Sequence, residues 1–167
     1  SSIVCEGIGD AVDQAVLAKK AGASALDIMP PHHWLRFGFR DQHVIDYFTA
    51  IGEAVNLPLV VHVYPAWTKA SFSSSLLARL AREGYAIVTP VPSCTLMFKQ
   101  ELPLMFPEDA DLKMVSESMW DPFEYLALRN ADGLLKKDFK QSLGKVSYHV
   151  PCHLRVQNIG ARRRELL

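Results

Sequence analysis

An α/β chain built from parallel βα units is what this sequence predicts, on three observations. Short apolar runs rich in β-branched residues alternate with helical patterns at roughly the 30-residue period of βαβ units. The runs are mostly continuous rather than alternating, as expected of strands buried in a parallel sheet. The chain has 167 residues, 49% apolar and 22% charged, which suffices for one α/β domain and is too short for two well-cored ones.

Taken in order, Asp10 to Lys20 opens with a capping aspartate and sets Ala11, Val12, Ala15, Val16 and Ala18 along one side of a helix, ended by Ala21-Gly22-Ala23. Ala25 to Met29 reads as a strand, and Pro30-Pro31 stops it because proline cannot donate to a ladder. A loop carrying His32, His33 and Trp34 follows. Asp41 caps a second helix, with Val44, Ile45, Phe48, Ile51 and Val55 as its apolar stripe. Leu57 to Val63 is the next strand, and the loop Tyr64 to Phe72 leads to a helix with N-cap hydroxyls at Ser73 to Ser75 and an apolar face of Leu76, Leu77 and Leu80. Gly84 closes that helix. Tyr85 to Thr89 is a further strand ending at Pro90, and its loop delivers Cys94. The sheet should be parallel with right-handed crossovers, and functional groups should gather at the carboxyl ends of its strands. That places His32, His33, His62, Tyr64 and Trp67 on one rim.

Charge excludes some partners. Lys plus Arg equals Asp plus Glu at 18 each, so nothing suggests a nucleic acid or another polyanion. The longest apolar runs, such as Leu57 to Val63, are strand length and cannot span a bilayer. Both ends read as cut, since the chain opens Ser-Ser and stops inside a basic helical pattern at Arg162-Arg163-Arg164-Glu165. Three cysteines, Cys5, Cys94 and Cys152, make an odd count, which argues for a reducing, cytoplasmic setting rather than a disulfide framework.

The stretch Ala15 to Trp34 (AVLAKKAGASALDIMPPHHW), followed by His43 to Ala81, resembles the dihydrodipicolinate synthase and N-acetylneuraminate lyase family of (β/α)₈ barrels, over about residues 5–81. The cues are the helix-Ala-Gly-Ala-strand phrase, the proline pair and the Leu57-Pro58 strand entry. The resemblance implies a Schiff-base lyase acting on a 2-oxo acid, in which a lysine amine forms an iminium that serves as electron sink. The family's tyrosine-rich turn, Tyr-Asn-Val-Pro-x-Arg-Thr-Gly, aligns with His62 to Lys69. Its catalytic tyrosine position is then His62 and its carboxylate-binding arginine position Trp67, with Tyr64 and Thr68 on the same rim. Lys69 and Lys99 do not match the iminium lysine, so the expectation is no aldolase turnover.

From Ala81 onward a second resemblance is the closer of the two. Gly84 to Glu108, Met119 to Leu126 and Lys145 to Gly160 are similar to the cysteine-rich region of the iron-sulfur component of anaerobic glycerol-3-phosphate dehydrogenase and of heterodisulfide reductase-type iron-sulfur oxidoreductases. Each cysteine phrase is an apolar strand, a proline, then a cysteine opening a helix. A helix N-terminus favours the thiolate, which is the ligand form. The resemblance implies an iron-sulfur cluster held by Cys94 and Cys152. If strands Tyr85 to Thr89 and Lys145 to Val150 are parallel neighbours, the two thiols share a rim. Two thiolates supply half of the usual four ligands.

Plainer readings accompany these. A single cysteine is more often a small buried hydrophobe than a ligand. A zinc site from Cys94, Cys152 and His149 or His153 is an alternative use of the same residues. His32-His33 reads as a loop pair, since adjacent residues rarely chelate one ion. Trp120 and Phe123 to Tyr125 around Pro122 read as the core of a bent helical segment, and Cys5 belongs to neither cysteine phrase.

The expectation is therefore an α/β chain in two segments: residues 1–81, an aldolase-like βα partial barrel, and residues 82–167, an incomplete cysteine-rich segment. The first functional expectation is an iron-sulfur electron-transfer component, incomplete by itself, with a redox partner protein or a homo-oligomer completing the site and peripheral membrane association through that partner. The second is the 2-oxo acid lyase. The third is a chimeric or truncated chain without native activity.

Overall fold

The computed structural model describes residues 1–64, 71–138, 140–142 and 144–159. The chain divides into two compact units, Ser1–Leu76 and Leu77–Leu167.

The first unit is a three-stranded parallel sheet, β1 (Ser2–Ile3), β2 (Leu26–Ile28) and β3 (Leu59–Val61), in the order β1-β2-β3. Ser2 pairs with Asp27 and Asp27 with Val60, while Ile3, Ile28 and Val61 form the next row. Helices α1 (Ile8–Lys20) and α3 (Asp41–Val55) are the crossovers. Two right-handed crossovers running the same way along a sheet put both helices on one face, and α1 packs on α3. Because strand side chains alternate, Leu26 and Ile28 share the face that is fully buried. Ala11, Ala15, Val44, Ile51 and Val55 complete that core. Asp27 and Val60 lie on the opposite face, where Val60 is 58% exposed.

The helix ends are tied as the sequence suggests, with two changes, the first being that Asp10 lies in the first turn of α1 while Gly7 is its N-cap. Gly22 takes φ +92° just past α1, which a residue with a Cβ adopts only with strain, and Asn56 ends α3 in the left-handed region. Lys19 Nζ donates to the Val55 carbonyl at 2.6 Å, so a cation closes one of α3's orphan acceptors. Asp41 is the first residue of α3 rather than its cap, and its carboxylate accepts from the Ser73 and Ser75 hydroxyls. Ser73 Oγ in turn accepts from Leu76 N at the start of α4 (Ser74–Arg82).

The second unit has a two-stranded parallel ladder, β4 (Ile87–Val88) with β5 (Met119–Trp120). Ala78, Val115 and Met119 form its core, with Leu77, Ile87 and Phe98 against them. A continuous helical run covers α5 (Pro92–Leu96), a π-helical turn (Met97–Glu101) and α6 (Leu102–Met105). Helix α7 (Ala110–Glu117) is capped by Asp109, whose side chain accepts from Leu112 N. Helix α8 (Pro122–Ala131) starts at the buried Asp121, which forms a capping box with Glu124. Helix α9 is Cys152–Val156.

Three expectations are corrected. Residues 145–150 are not a strand: the ladder partner of β4 is β5, with Ile87 N donating to Ser118 O and Thr89 N to Trp120 O, and Val146 is 53% exposed. Trp120 belongs to a strand, because Pro122 with its missing N–H starts a new helix instead of bending one. The strands fall into two parallel ladders, one in each unit, and not into one sheet. Among the described residues no helix is long and apolar enough to cross a membrane.

Ile28 tests this packing. Ile28→Ala should lower unfolding stability by about 2–5 kcal/mol, the usual cost of truncating a fully buried aliphatic side chain, whereas Val60→Ala should change it by about 0.5 kcal/mol or less. Urea midpoints at unchanged m report both. Equal losses at the two positions would contradict the assignment of buried and exposed faces.

Candidate functional site at the carboxyl ends of the first sheet

The three parallel strands deliver their following residues to one rim. After β1 come Cys5 and Glu6; after β2, Pro30 to His33; after β3, His62 and Tyr64. The ladder runs one step past β2, with Met29 N donating to Ile3 O, and then meets the two prolines. The chain turns into α2 (His33–Phe37), anchored by Trp34, which is buried against Phe39 and Tyr47 with ring centroids 5.1 and 5.8 Å away. With Trp34 turned inward, His32 and His33 stay at the surface, each a little over two-fifths exposed.

Glu6 holds this corner together. Its Oε1 accepts from His32 N at 3.0 Å, and its Oε2 accepts from His33 N at 2.8 Å. The same Oε2 lies 2.8 Å from His33 Nδ1, and His32 Nδ1 lies 3.4 Å from Oε1. Partial burial alone would raise the Glu6 carboxyl, but the His33 N–H, the His33 ring and the His32 N–H outweigh it, and the group is held below the ordinary carboxylate range. Glu6 is therefore ionised at neutral pH, and Nδ1 of neutral His33 carries the proton it shares.

Tyr47 fixes the loop that presents Glu6. It is 2% exposed, and its hydroxyl donates to the Cys5 carbonyl at 3.0 Å. Burial, with the neighbouring Cys5 and Glu6, pushes its phenol up to about 12. The Cys5 thiol is raised as well, by burial and then by the charges of Asp10 and Glu6, so it is no poised thiolate.

A second pair sits on the β2–β3 side. Ser2 Oγ donates to Asp27 Oδ2 at 3.1 Å, and His62 Nδ1 lies 3.9 Å from Asp27 Oδ1, an ion-pair distance rather than a hydrogen bond. The His62 and Tyr64 rings are 6.4 Å apart. Trp67, Thr68 and Lys69 lie outside the described residues, as do Arg162 to Arg164.

The helices that carry the two cysteine phrases, α5 and α9, pack against each other, and Gln157 Nε2 donates to the Pro92 carbonyl at 3.2 Å. Cys94 is the third residue of α5 and Cys152 the first of α9, and both are exposed. His153 follows Cys152 on α9, and His149 lies in the stretch that is not a strand. Among the described residues no three His, Cys, Asp or Glu side chains come together in a group that could hold a metal. Lys99 is also accounted for: it pairs with Glu124 at 2.8 Å and lies over the Trp120 ring, and its carbonyl in the π-helical turn accepts from Ser116 Oγ.

Glu6 and Tyr47 carry no mark in the sequence. Glu6 follows a two-residue strand too short to carry a pattern, and the hydroxyl of Tyr47 hides its place on the Val44–Ile51 stripe. The pair Glu6-Gly7 just ahead of α1 is the available signal for a strand-loop-helix start.

A parallel βα layer whose ionisable groups collect at the carboxyl ends of its strands is the arrangement α/β enzymes use for their sites. No family model matches the chain. Over 70 residues it is 29% identical to L-2-keto-3-deoxyarabonate dehydratase of Azospirillum brasilense; this covers 42% of the chain and 22% of the relative, so the match takes in about a fifth of that protein's length. The crystal structure of YagE from E. coli K12, a prophage protein of the dihydrodipicolinic acid synthase family in complex with pyruvate, aligns at a TM-score of 0.48 and 14% identity, covering 99% of this chain and 55% of that one. The sequence similarity thus runs toward a dehydratase. The expectation of an iron-sulfur electron-transfer component is overturned: the curated relative is a dehydratase, and the cysteine phrases gather no ligand set among the described residues. The redox partner and partner-borne membrane association that went with it lose their basis.

Glu6 also links acid to stability. Its carboxyl is lowered in the folded chain, so its contribution is fully present above the unfolded carboxyl value of about 4.3 and is lost as pH falls through the folded one. The stability gap between the parent chain and Glu6→Gln should be constant from neutral pH down to about pH 5 and shrink on further acidification, as read by urea unfolding at each pH. A gap that widens in acid would contradict the network.

Proposed function

We propose that this chain carries part of the substrate rim of a lyase that acts on a 2-oxo acid through a Schiff base. The observation that carries this reading is the 70-residue similarity to a dehydratase whose substrate, by its name, is a 2-keto acid. The polar rim of the first unit supports it, because the strand ends present a held carboxylate, three imidazoles and a phenol where such a substrate would sit.

The chemistry of this class sets what the rim must do. A lysine amine condenses with the 2-oxo carbonyl and releases water; the iminium then accepts the electron pair left when the C3 proton departs, and a leaving group beyond C3 is expelled with a proton supplied by an acid. In this chain His62 stands at the position of the family's tyrosine and Trp67 at that of its arginine, and neither Lys69 nor Lys99 matches the amine. Its own residues thus bind the oxo acid and handle protons, without covalent capture. A partial barrel layer is the corresponding fold, with β1 to β3 as consecutive barrel strands.

Titration with pyruvate, followed through the histidine ring signals in NMR spectra, tests the reading. Saturable shifts are expected at His33 and His62 and not at His43 or His153. Borohydride treatment with pyruvate should leave the intact mass unchanged. Rim histidines that ignore millimolar pyruvate would overturn the proposal.

A further inference from the structure

From the contacts around Glu6 we infer that Glu6 and His33 form a proton-transfer dyad, with His33 as the general base that takes the C3 proton of the 2-oxo acid and Glu6 as its positioning residue; this rests on the function proposed above. An exposed carboxylate beside an imidazole is ordinarily a weak and loosely held pair, since two flexible side chains must be ordered to make it. Here the carboxylate is clamped independently of the ring. Both its oxygens accept backbone N–H groups, from His32 at 3.0 Å and from His33 at 2.8 Å, and those groups are fixed by the turn that Pro30, Pro31 and the buried Trp34 impose.

The ring geometry follows. Oε2 lies 2.8 Å from His33 Nδ1, and an ionised carboxylate can only accept, so in the neutral ring Nδ1 bears the hydrogen. The basic lone pair is then on Nε2, the other side of a ring that is 43% exposed. Hydrogen bonding of Nδ1–H to a carboxylate is the device that holds an imidazole in the base tautomer and stabilises the imidazolium formed in the reaction. The C3–H bond breaks, the proton goes to Nε2, the C–H electron pair forms the C2=C3 bond, and the carbonyl pair moves onto oxygen to give the enolate. Return of a proton from Nε2 restores the oxo acid. No oxidant or further reactant is needed.

Exchange of pyruvate C3 protons in D₂O, followed by proton NMR, reads this step without turnover. The parent chain should exchange them faster than buffer does, and His33→Asn should return the rate to that of buffer. Glu6→Gln should lower the acceleration at least about tenfold, a part of the roughly 10²–10⁴-fold that a positioned general base contributes, and Glu6→Asp should recover part of it. A nitrogen-15 spectrum separates positioning from mere structure. The neutral His33 ring should be protonated at Nδ1 in the parent chain and shift toward the Nε2–H form in Glu6→Ala, with far-UV circular dichroism confirming that the variant is folded. Parent-rate exchange in a His33→Asn chain that still shows the His62 shift with pyruvate would overturn the dyad and leave the 2-oxo acid reading standing. Absence of any pyruvate-induced shift would overturn both.

Discussion

The first unit depends on β2, the middle strand of its sheet, which is paired along both edges. Leu26 N donates to Pro58 O, Asp27 N to Ser1 O, Met29 N to Ile3 O, and Ile28 O accepts from His62 N. Each such bond is worth a net 0.5–1.5 kcal/mol or so, and strands of two or three residues make few of them. Burial decides the balance. Leu26 and Ile28 are wholly inaccessible beneath α1 and α3, and a fully buried aliphatic side chain contributes about 1.5–3 kcal/mol. The ladder sets the register, and the two side chains hold it.

The rim inherits its order from that core through one residue. Tyr47 lies on the buried stripe of α3, edge-on to Trp34 at 5.8 Å and to Phe48 at 5.1 Å, and its hydroxyl reaches the Cys5 carbonyl. A buried phenol needs a partner, and the one it takes belongs to the loop that ends with Glu6. The same helix thus packs the core and fixes the backbone from which the carboxylate reaches His32 and His33. Trp34 does the matching work on the other side of the cluster, where its burial forces the two histidines outward.

How much of this is legible in the sequence follows from where each signal resides. Helices α1 and α3 can be read because Ala11, Ala15, Val44, Ile51 and Val55 repeat at helical spacing and all turn out buried. The strand before Pro30-Pro31 is readable because proline stops a ladder chemically. Strand β1 is not, since two residues carry no period, and Glu6 goes with it: its partners lie 26 and 27 positions away, beyond any local pattern. Residues 145–150 show the opposite failure. Val146, Tyr148 and Val150 give local strand propensity, yet propensity stands for fitting a half-buried surface, and Val146 is 53% exposed. The cysteine phrases are legible as local structure, since each cysteine does stand in the first turn of a helix after a proline, but a helix start says nothing of what converges on the thiol.

The most direct measurement on the account is residue-resolved amide hydrogen exchange across β2 and the turn that follows it. The N–H groups of Asp27, Met29 and His62, which close the ladder, and those of His32 and His33, which Glu6 holds, are predicted to be protected in the parent chain. In Glu6→Gln the His32 and His33 amides should lose protection while the ladder amides keep theirs. Ladder amides that exchange as fast as exposed coil, or His32 and His33 amides indifferent to Glu6, would contradict the claim that β2 organises the rim and Glu6 fixes it.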